Sequence, residues 1–321
     1  MTTACYLYGI TCAQVQIPSN LRGFQGIPLE VVRGDGVCAV ISRGNIDLGQ
    51  DPSAIMQLYQ AQQQVLLKLE ARAVVPARIG SGLDSFEAVQ ALLEYHREAL
   101  LEQLKGVADK AQFNLRVIWK LDAEIKNAAT NRDILEFRAE LAGRTMLLED
   151  QVRIGELIAM HLEHERQRLL DKVLSRLEPS LSEYGLASRD TEDTAFNLVL
   201  LAARDSHAGL LSLIQQIADE RLQFELSSAL PIHAFRLLEV VQPSRQDLEK
   251  ARLALRLPAN TPSAPLQVQR AYKQLALEKH PDRNPNNPFA TEEMIELSWA
   301  RDLLEVAGQG VGLRVQKVVN S

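Results

Sequence analysis

Apolar and polar residues alternate along "FNLRVIWKL", residues 113–121: Phe113, Leu115, Val117 and Trp119 fall on one side of an extended chain, with Asn114 and Arg116 between them. A period of two marks a half-buried strand, so a strand is predicted here. Earlier in the chain the period is helical. Ile55, Leu58, Tyr59, Gln62, Val65 and Leu66 recur at helical spacing after Asp51-Pro52-Ser53, a plausible cap with proline in the first turn. "SFEAVQALLEYHREALLEQLKGV" predicts a second long helix capped by Ser85. "CYLYGI" and "AVVPARIG" read as short strands. "VVRGDGVCAVIS" reads as a strand pair around Gly34-Asp35-Gly36, or as one strand with a turn before it.

Downstream of Trp119, a helical region is expected from about Asp133 to Leu177, interrupted at Gly143 and Gly155 and closed by Glu178-Pro179-Ser180. "AFNLVLLA" predicts a strand, "GLLSLIQQIADER" a helix, and "LQFELSSALPIHAF" a strand with an irregular end. The order strand, helices, strand, helix, strand suits a ferredoxin-like α+β unit. Gln242-Pro243-Ser244 reads as a linker, and the chain beyond it reads as helical. The expected organisation is an N-terminal α+β domain at 1–111, a ferredoxin-like α+β domain at 112–242, and an all-α module with its tail at 243–321.

In that third region, Val268, Ala271, Tyr272, Leu275 and Ala276 gather on one face of a helix from about Pro265 to Lys279. Arg270 and Lys273 flank Leu277 on the other side. A second helix, from about Thr291 to Val306, carries Met294, Leu297, Ala300 and Leu304 along one seam. The pair predicts an antiparallel hairpin joined by "HPDRNPNN". A second apolar line, Ile295, Trp299, Leu303 and Val306, is expected to pack on the tail "VGLRVQKVV" or on the preceding domains.

Composition narrows the function classes. The chain has 321 residues and a net charge of −6, against the basic balance of a whole-chain nucleic-acid binder. No run of about 18 apolar residues suggests a membrane span, and "MTTACYLYGITC" lacks the pattern of a signal peptide. Cys5, Cys12 and Cys38 read as reduced cytosolic thiols, because their spacing fits no metal or redox motif. No metal or other cofactor is expected. His161 and His164 are three apart, but beside Glu163, Glu165 and Arg166 they read as part of a solvated polar face. "RIGSGL" lacks the spacing of a phosphate loop. Arg33-Gly34-Asp35 reads as a turn. No nucleophile–base arrangement is evident, so a non-enzymatic role is expected.

Two stretches resemble known families. "AYKQLALEKHPDRNP" resembles the heart of a J domain, the module with which Hsp40-type co-chaperones engage Hsp70. The likeness covers the core positions Tyr272, Leu275 and Ala276, then His280-Pro281-Asp282 and Asn284-Pro285. It continues without gaps to Met294, Leu297 and Leu304. By this resemblance the Hsp70-facing residues are His280, Pro281, Asp282, Arg270, Lys273, Leu277, Arg283 and Asn284. The chemistry agrees: proline fixes the corner, and a carboxylate held out from it suits an arginine on a partner. There are departures. Arg301 stands where the family usually has an aromatic residue, the first helix lacks the usual tyrosines, and no basic fourth helix is recognisable.

The first 240 residues resemble the gas vesicle protein F/L family, on the order and spacing of "YLYGI", "VCAVIS", "VVPARIGSGLDSFEAV", "LRVIWK", "FNLVLLA" and "LQFELSSALPIHAF". This resemblance implies a cytoplasmic, gas vesicle-associated accessory protein. Its partners would be the major shell protein and other gas vesicle accessory proteins, with Hsp70 (DnaK) engaged through the J-like module. Neither nucleic acid nor a membrane is an expected partner. The alternative is a minor structural component of the vesicle shell, with the J-like region reduced to a docking surface.

Overall fold

The structure, a computed structural model, describes residues 5–44, 52–69, 73–218, 220–241, 245–258, 265–280, 283, 289–308 and 312–316. The chain forms two compact units, Met1–Ala108 with Arg236–Gln316, and Asp109–Phe235.

The first unit is built on strand β1 (Cys5–Cys12). With β2 (Leu29–Arg33), β3 (Val37–Arg43) and β4 (Val74–Pro76) it forms an antiparallel sheet in the order β2-β3-β1-β4, and the short β5 (Gly82–Leu83) also pairs with β1. β2 and β3 are the predicted pair, with Gly36 in the left-handed region (φ 81°) that their tight turn requires. Asp35 in that turn pairs with Arg97 at 2.8 Å, so Arg33-Gly34-Asp35 is a hairpin corner.

Seven of the eight β1 residues are buried, which explains the near-continuous apolar run: helices cover the sheet. Helix α1 (Pro52–Lys68) sets Leu58, Val65 and Leu66 against Tyr6, Tyr8, Cys38 and Val40. The predicted second long helix is two, α2 (Phe86–Tyr95) and α3 (Arg97–Gly106), broken at His96. The break lets both helices contact β3. Ser85 caps α2 by accepting from the Ala88 N–H.

Gln62 is fully buried in α1, where the helical period alone would put an apolar side chain. It accepts from the Tyr6 hydroxyl (2.7 Å) and donates to the carbonyls of Tyr8 (3.0 Å) and Ala77 (2.6 Å). One amide thus ties the helix to β1 and to the end of β4, with its polar atoms satisfied. Gly23 permits a second close approach. A Cβ there would lie 2.1 Å from the Tyr8 hydroxyl, which accepts from the Phe24 N–H.

The second unit carries β6 (Lys110–Trp119), β7 (Leu181–Ala187), β8 (Thr194–Ala203) and β9 (Leu222–Leu226), antiparallel in the order β7-β8-β6-β9. Its helices are α4 (Leu121–Ala128), α5 (Arg132–Glu140), α6 (Leu148–Leu177) and α7 (His207–Gln215). This strand order, with α6 and α7 as crossovers, is ferredoxin-like. Phe113, Leu115, Val117 and Trp119 all point into one core with Leu170, Val173 and Leu177 of α6. Strand β7 was not anticipated: "LSEYGLA" buries only Gly185, because it lies at the sheet edge. Gly143 breaks the helical region, at φ 94°. Gly155 does not: α6 runs through it for 30 residues, and a Cβ there would meet open space. Asn131 caps α5 and also meets His161 at 3.1 Å.

Residues 237–316 return to the first unit. β10 (Leu237–Val241) pairs antiparallel with β11 (Gly312–Gln316), and three helices lie between them: α8 (Arg245–Ala254), α9 (Pro265–Lys279) and α10 (Ala290–Gly308). No local pattern predicts this ribbon, whose strands lie some seventy residues apart. Leu238 bridges to Ala77 beside β4, and its carbonyl accepts from the Arg78 N–H at 2.7 Å. Glu239 takes Arg78 and Gln316 as partners. The helical module therefore leaves from and returns to one ribbon fixed at the β4 end of the sheet. No described helix is long and apolar enough to cross a membrane.

Candidate functional site

The module is assembled around α10, which packs on both α8 and α9. Ala251 of the first helix with Leu255 just after it, Val268 and Leu275 from the second helix, and Leu297, Ala300 and Leu304 from the third form its buried core. Tyr272, Met294, Ala271 and Leu303 pack at the core's edge. Ala276 is half-buried beside them. Spacings of three and four residues on α9 and α10 bring these side chains together, as amphipathic helices do.

Helix α8 ends on a left-handed turn. Arg256 has φ 53°, and the Leu257 N–H donates to the Arg252 carbonyl at 2.8 Å, a Schellman closure in which Leu257 packs on the core. Ion pairs then tie the helices at their ends: Arg256 with Glu278 (3.4 Å) and Lys279 with Glu293 (3.2 Å). These are partly exposed and stabilise little individually, but they fix the approach of α9 to its neighbours.

Arg301 shows how the seam accommodates a cation in place of a ring. Its guanidinium lies 4.4 Å from the centre of the Tyr272 ring, and it donates to Asp302 at 2.6 and 2.9 Å. The bond to Asp302 raises its pKa further. Tyr272 also meets Ser298 across the seam, hydroxyl to hydroxyl, at 3.3 Å. A cation–π stack therefore occupies the place of an aromatic pair.

The opposite side of α9 is bare. Arg270, Lys273 and Leu277 lie exposed at spacings of three and four, on one helix face, and Leu277 is 58% exposed. Among the described residues neither Arg270 nor Lys273 carries an ion pair. His280 stands exposed at the end of the helix, where its carbonyl accepts from the Arg283 N–H at 2.9 Å, the i to i+3 bond of a tight turn. The exposed Arg283 also donates to the Leu277 carbonyl at 3.4 Å. Pro281, Asp282 and Asn284 lie outside the described residues. The described face offers two cations, a leucine and a histidine, an arrangement suited to an acidic protein surface with an apolar spot.

The second apolar line of α10 behaves differently from expectation. Ile295 is 65% exposed and Trp299 39% exposed, while Leu303 turns into the module core. The described part of the tail, β11, pairs with β10 through its backbone, and Ile295 and Trp299 remain exposed. The side chain of Val306 lies outside the described residues.

The remaining candidate chemistry is structural. Cys5 and Cys38 are buried thiols whose pKa values burial raises. Arg166 is not part of a solvated face. Its guanidinium sits 4.7 Å from the ring centre of the buried Trp119, and only 17% of its side chain is exposed. Sequence reading missed it because the burying residue lies 47 positions away, on another element.

Comparison with known proteins places the two parts of the chain. The model for the gas vesicle synthesis protein GvpL/GvpF family matches residues 4–236, and that for the DnaJ domain matches residues 254–307. Gas vesicle protein F of Dolichospermum flosaquae is 20% identical over 74% of this chain and 100% of its own length. Gas vesicle protein F of Streptomyces sp. is 26% identical over 72% of this chain and 98% of its own. The crystal structure of GvpF from Anabaena sp. PCC7120 shares the fold with a TM-score of 0.62, at 20% identity, covering 72% of this chain and 97% of that one. GvpL/GvpF is not a family of known enzymes. Matched over most of its length, with a DnaJ domain following, this chain belongs to the GvpL/GvpF family of gas vesicle proteins.

Proposed function

We propose that this protein is a non-enzymatic accessory factor of gas vesicle formation that works as an adaptor. Its α+β body, residues 1–242, holds the major shell protein alongside other accessory proteins, and the J-like module at 243–321 brings Hsp70 (DnaK) to that client. It acts in the cytoplasm at the growing vesicle. The observation that carries this reading is the union in one chain of a GvpL/GvpF body and a DnaJ domain whose His280 and cationic α9 face are exposed.

The physical need is plain. A shell subunit with a large apolar face aggregates unless that face is covered before incorporation. The exposed cations of α9 suit association with an acidic partner, acting mainly on rate and orientation. His280, Pro281, Asp282, Arg270, Lys273, Leu277, Arg283 and Asn284 form the Hsp70-facing set in this reading.

The test uses the full chain. The wild type is expected to stimulate the ATPase of the DnaK from the same cell and to retain the major shell protein in a pull-down. His280→Gln is expected to abolish the first and preserve the second. Absence of stimulation by the wild type refutes the Hsp70 arm. Absence of shell-protein retention refutes the client arm.

A further inference from the structure

We propose that the shell subunit is gripped on helix α6 of the second unit, by a segment that places a carboxylate at the end of an apolar stripe. This rests on the reading above that the body holds that subunit.

Leu148, Val152, Gly155, Ala159, Leu162 and Arg166 follow one another at spacings of three and four, so they form one line along α6. The first three residues of the line are uncovered. Leu148 is 76% and Val152 54% exposed, and a Cβ on Gly155 would meet open space. At Ala159 and Leu162 the line enters an open groove of about 670 Å³, with Leu121 and Ile125 of α4 opposite and residues 189–192 as the remaining wall. The groove is of a size to take several side chains.

The stripe ends on Arg166, whose charge is under-compensated. Its side chain is only 17% exposed, yet its ion-pair partner among the described residues, Glu163 at 3.1 Å, is 69% exposed. The buried Arg166 Nε has no acceptor, and the buried Trp119 Nε1 beneath the stacked guanidinium has none either. A cation withdrawn this far from water calls for a further anionic acceptor. A carboxylate entering from the groove supplies one with charge-assisted geometry.

The groove wall is already set. Asp190 accepts from Thr194 at 3.0 Å and pairs with Arg116 at 3.5 Å, and Arg116 also donates to Thr191 at 2.9 Å. That leaves Arg189 and Glu192 as the exposed charges of the wall, and they make opposite predictions. The occupant is therefore an amphipathic peptide segment, apolar along its length and acidic at the end that reaches Arg166. An apolar ligand without charge leaves Arg166 as it is, and a small anion leaves the uncovered stripe unused.

The experiment exploits Trp119. The chain has two tryptophans, and Trp299→Phe leaves Trp119 as the reporter beside Arg166. In that background the full chain is titrated with the major shell protein, and Trp119 emission is followed. A saturable change is expected. Val152→Glu and Arg189→Glu, both at exposed positions, are expected to weaken binding by about tenfold or more. Glu192→Lys is expected to tighten it, and Leu253→Glu on α8 to leave it unchanged. Wild-type binding that Val152→Glu and Arg189→Glu do not alter overturns the groove and leaves the adaptor reading standing. No binding by the wild type overturns both. A change in self-association, with shell binding untouched, assigns the stripe to a second copy of this chain and overturns the proposal.

Discussion

Strand β8 buries eight of its ten residues, whereas helix α9 buries only Val268 and Leu275 among its described side chains. Both are made from ordinary apolar and polar residues, and the difference lies in what surrounds them. β8 runs between β7 and β6 under the helices of its unit, so nearly every side chain meets protein. α9 touches a small core with one stripe and leaves Arg270, Lys273, Leu277 and His280 in solvent. Substitutions in β8 and its partner β6 are therefore read out as stability, and substitutions on the outer face of α9 as recognition.

The largest effect tests that division directly. Phe113 is fully buried opposite β8, and Phe113→Ala is expected to cost about 3–5 kcal/mol in urea denaturation. Leu277→Ala is expected to change stability by less than about 0.5 kcal/mol. A loss at Leu277 comparable with that at Phe113 would break the comparison, by showing that the bare face of α9 is covered. Next comes Gln62→Leu, which strips partners from the Tyr6 hydroxyl and the Ala77 carbonyl. It is expected to cost on the order of 2–4 kcal/mol by the same measurement, although it adds apolar surface to the core.

A pH effect follows from one buried histidine. Burial lowers the pKa of His233 from its usual 6.5 to about 4. Between those values the unfolded chain binds a proton that the folded chain refuses, so stability falls as pH drops from about 6.5 toward 4. The loss is on the order of 1–3 kcal/mol and shrinks in His233→Gln, read from urea midpoints across that range. The smallest predicted loss above the Leu277→Ala control is at the module seam. Arg301→Ala removes the stack on Tyr272 and is expected to cost about 0.5–1 kcal/mol in thermal unfolding of the module, with Arg301→Phe recovering part of it.

Much of the fold was legible because period and burial agreed. The alternation of Phe113 to Trp119 predicted β6, and the helical recurrence from Ile55 to Leu66 predicted α1. The α9 and α10 positions that share a face do meet in one cluster. β7, β10 and β11 were not legible. β7 lies at a sheet edge and buries a single residue, while β10 and β11 find each other across some seventy residues. Pairing of that kind depends on backbone groups, which every residue carries. At the candidate site, exposure of Arg270, Lys273 and Leu277 followed from helix geometry. The stacking of Arg301 did not, because the residue type predicted a mismatch and the structure answered it with Tyr272 and Asp302.

Local pattern and motif were enough to identify the two families, the succession of β6, helices, β8, α7 and β9, and the pairing of α9 with α10. These depend on local period and on motif spacing, both written along one dimension. Tertiary packing set the fates of Gln62, Arg166 and Trp299: an amide locked inside a core, a cation drawn over an indole, and an indole left partly in water. Each outcome is set by neighbours distant in sequence. Burial of a polar or aromatic side chain reflects the packing of the whole unit, which no local pattern records.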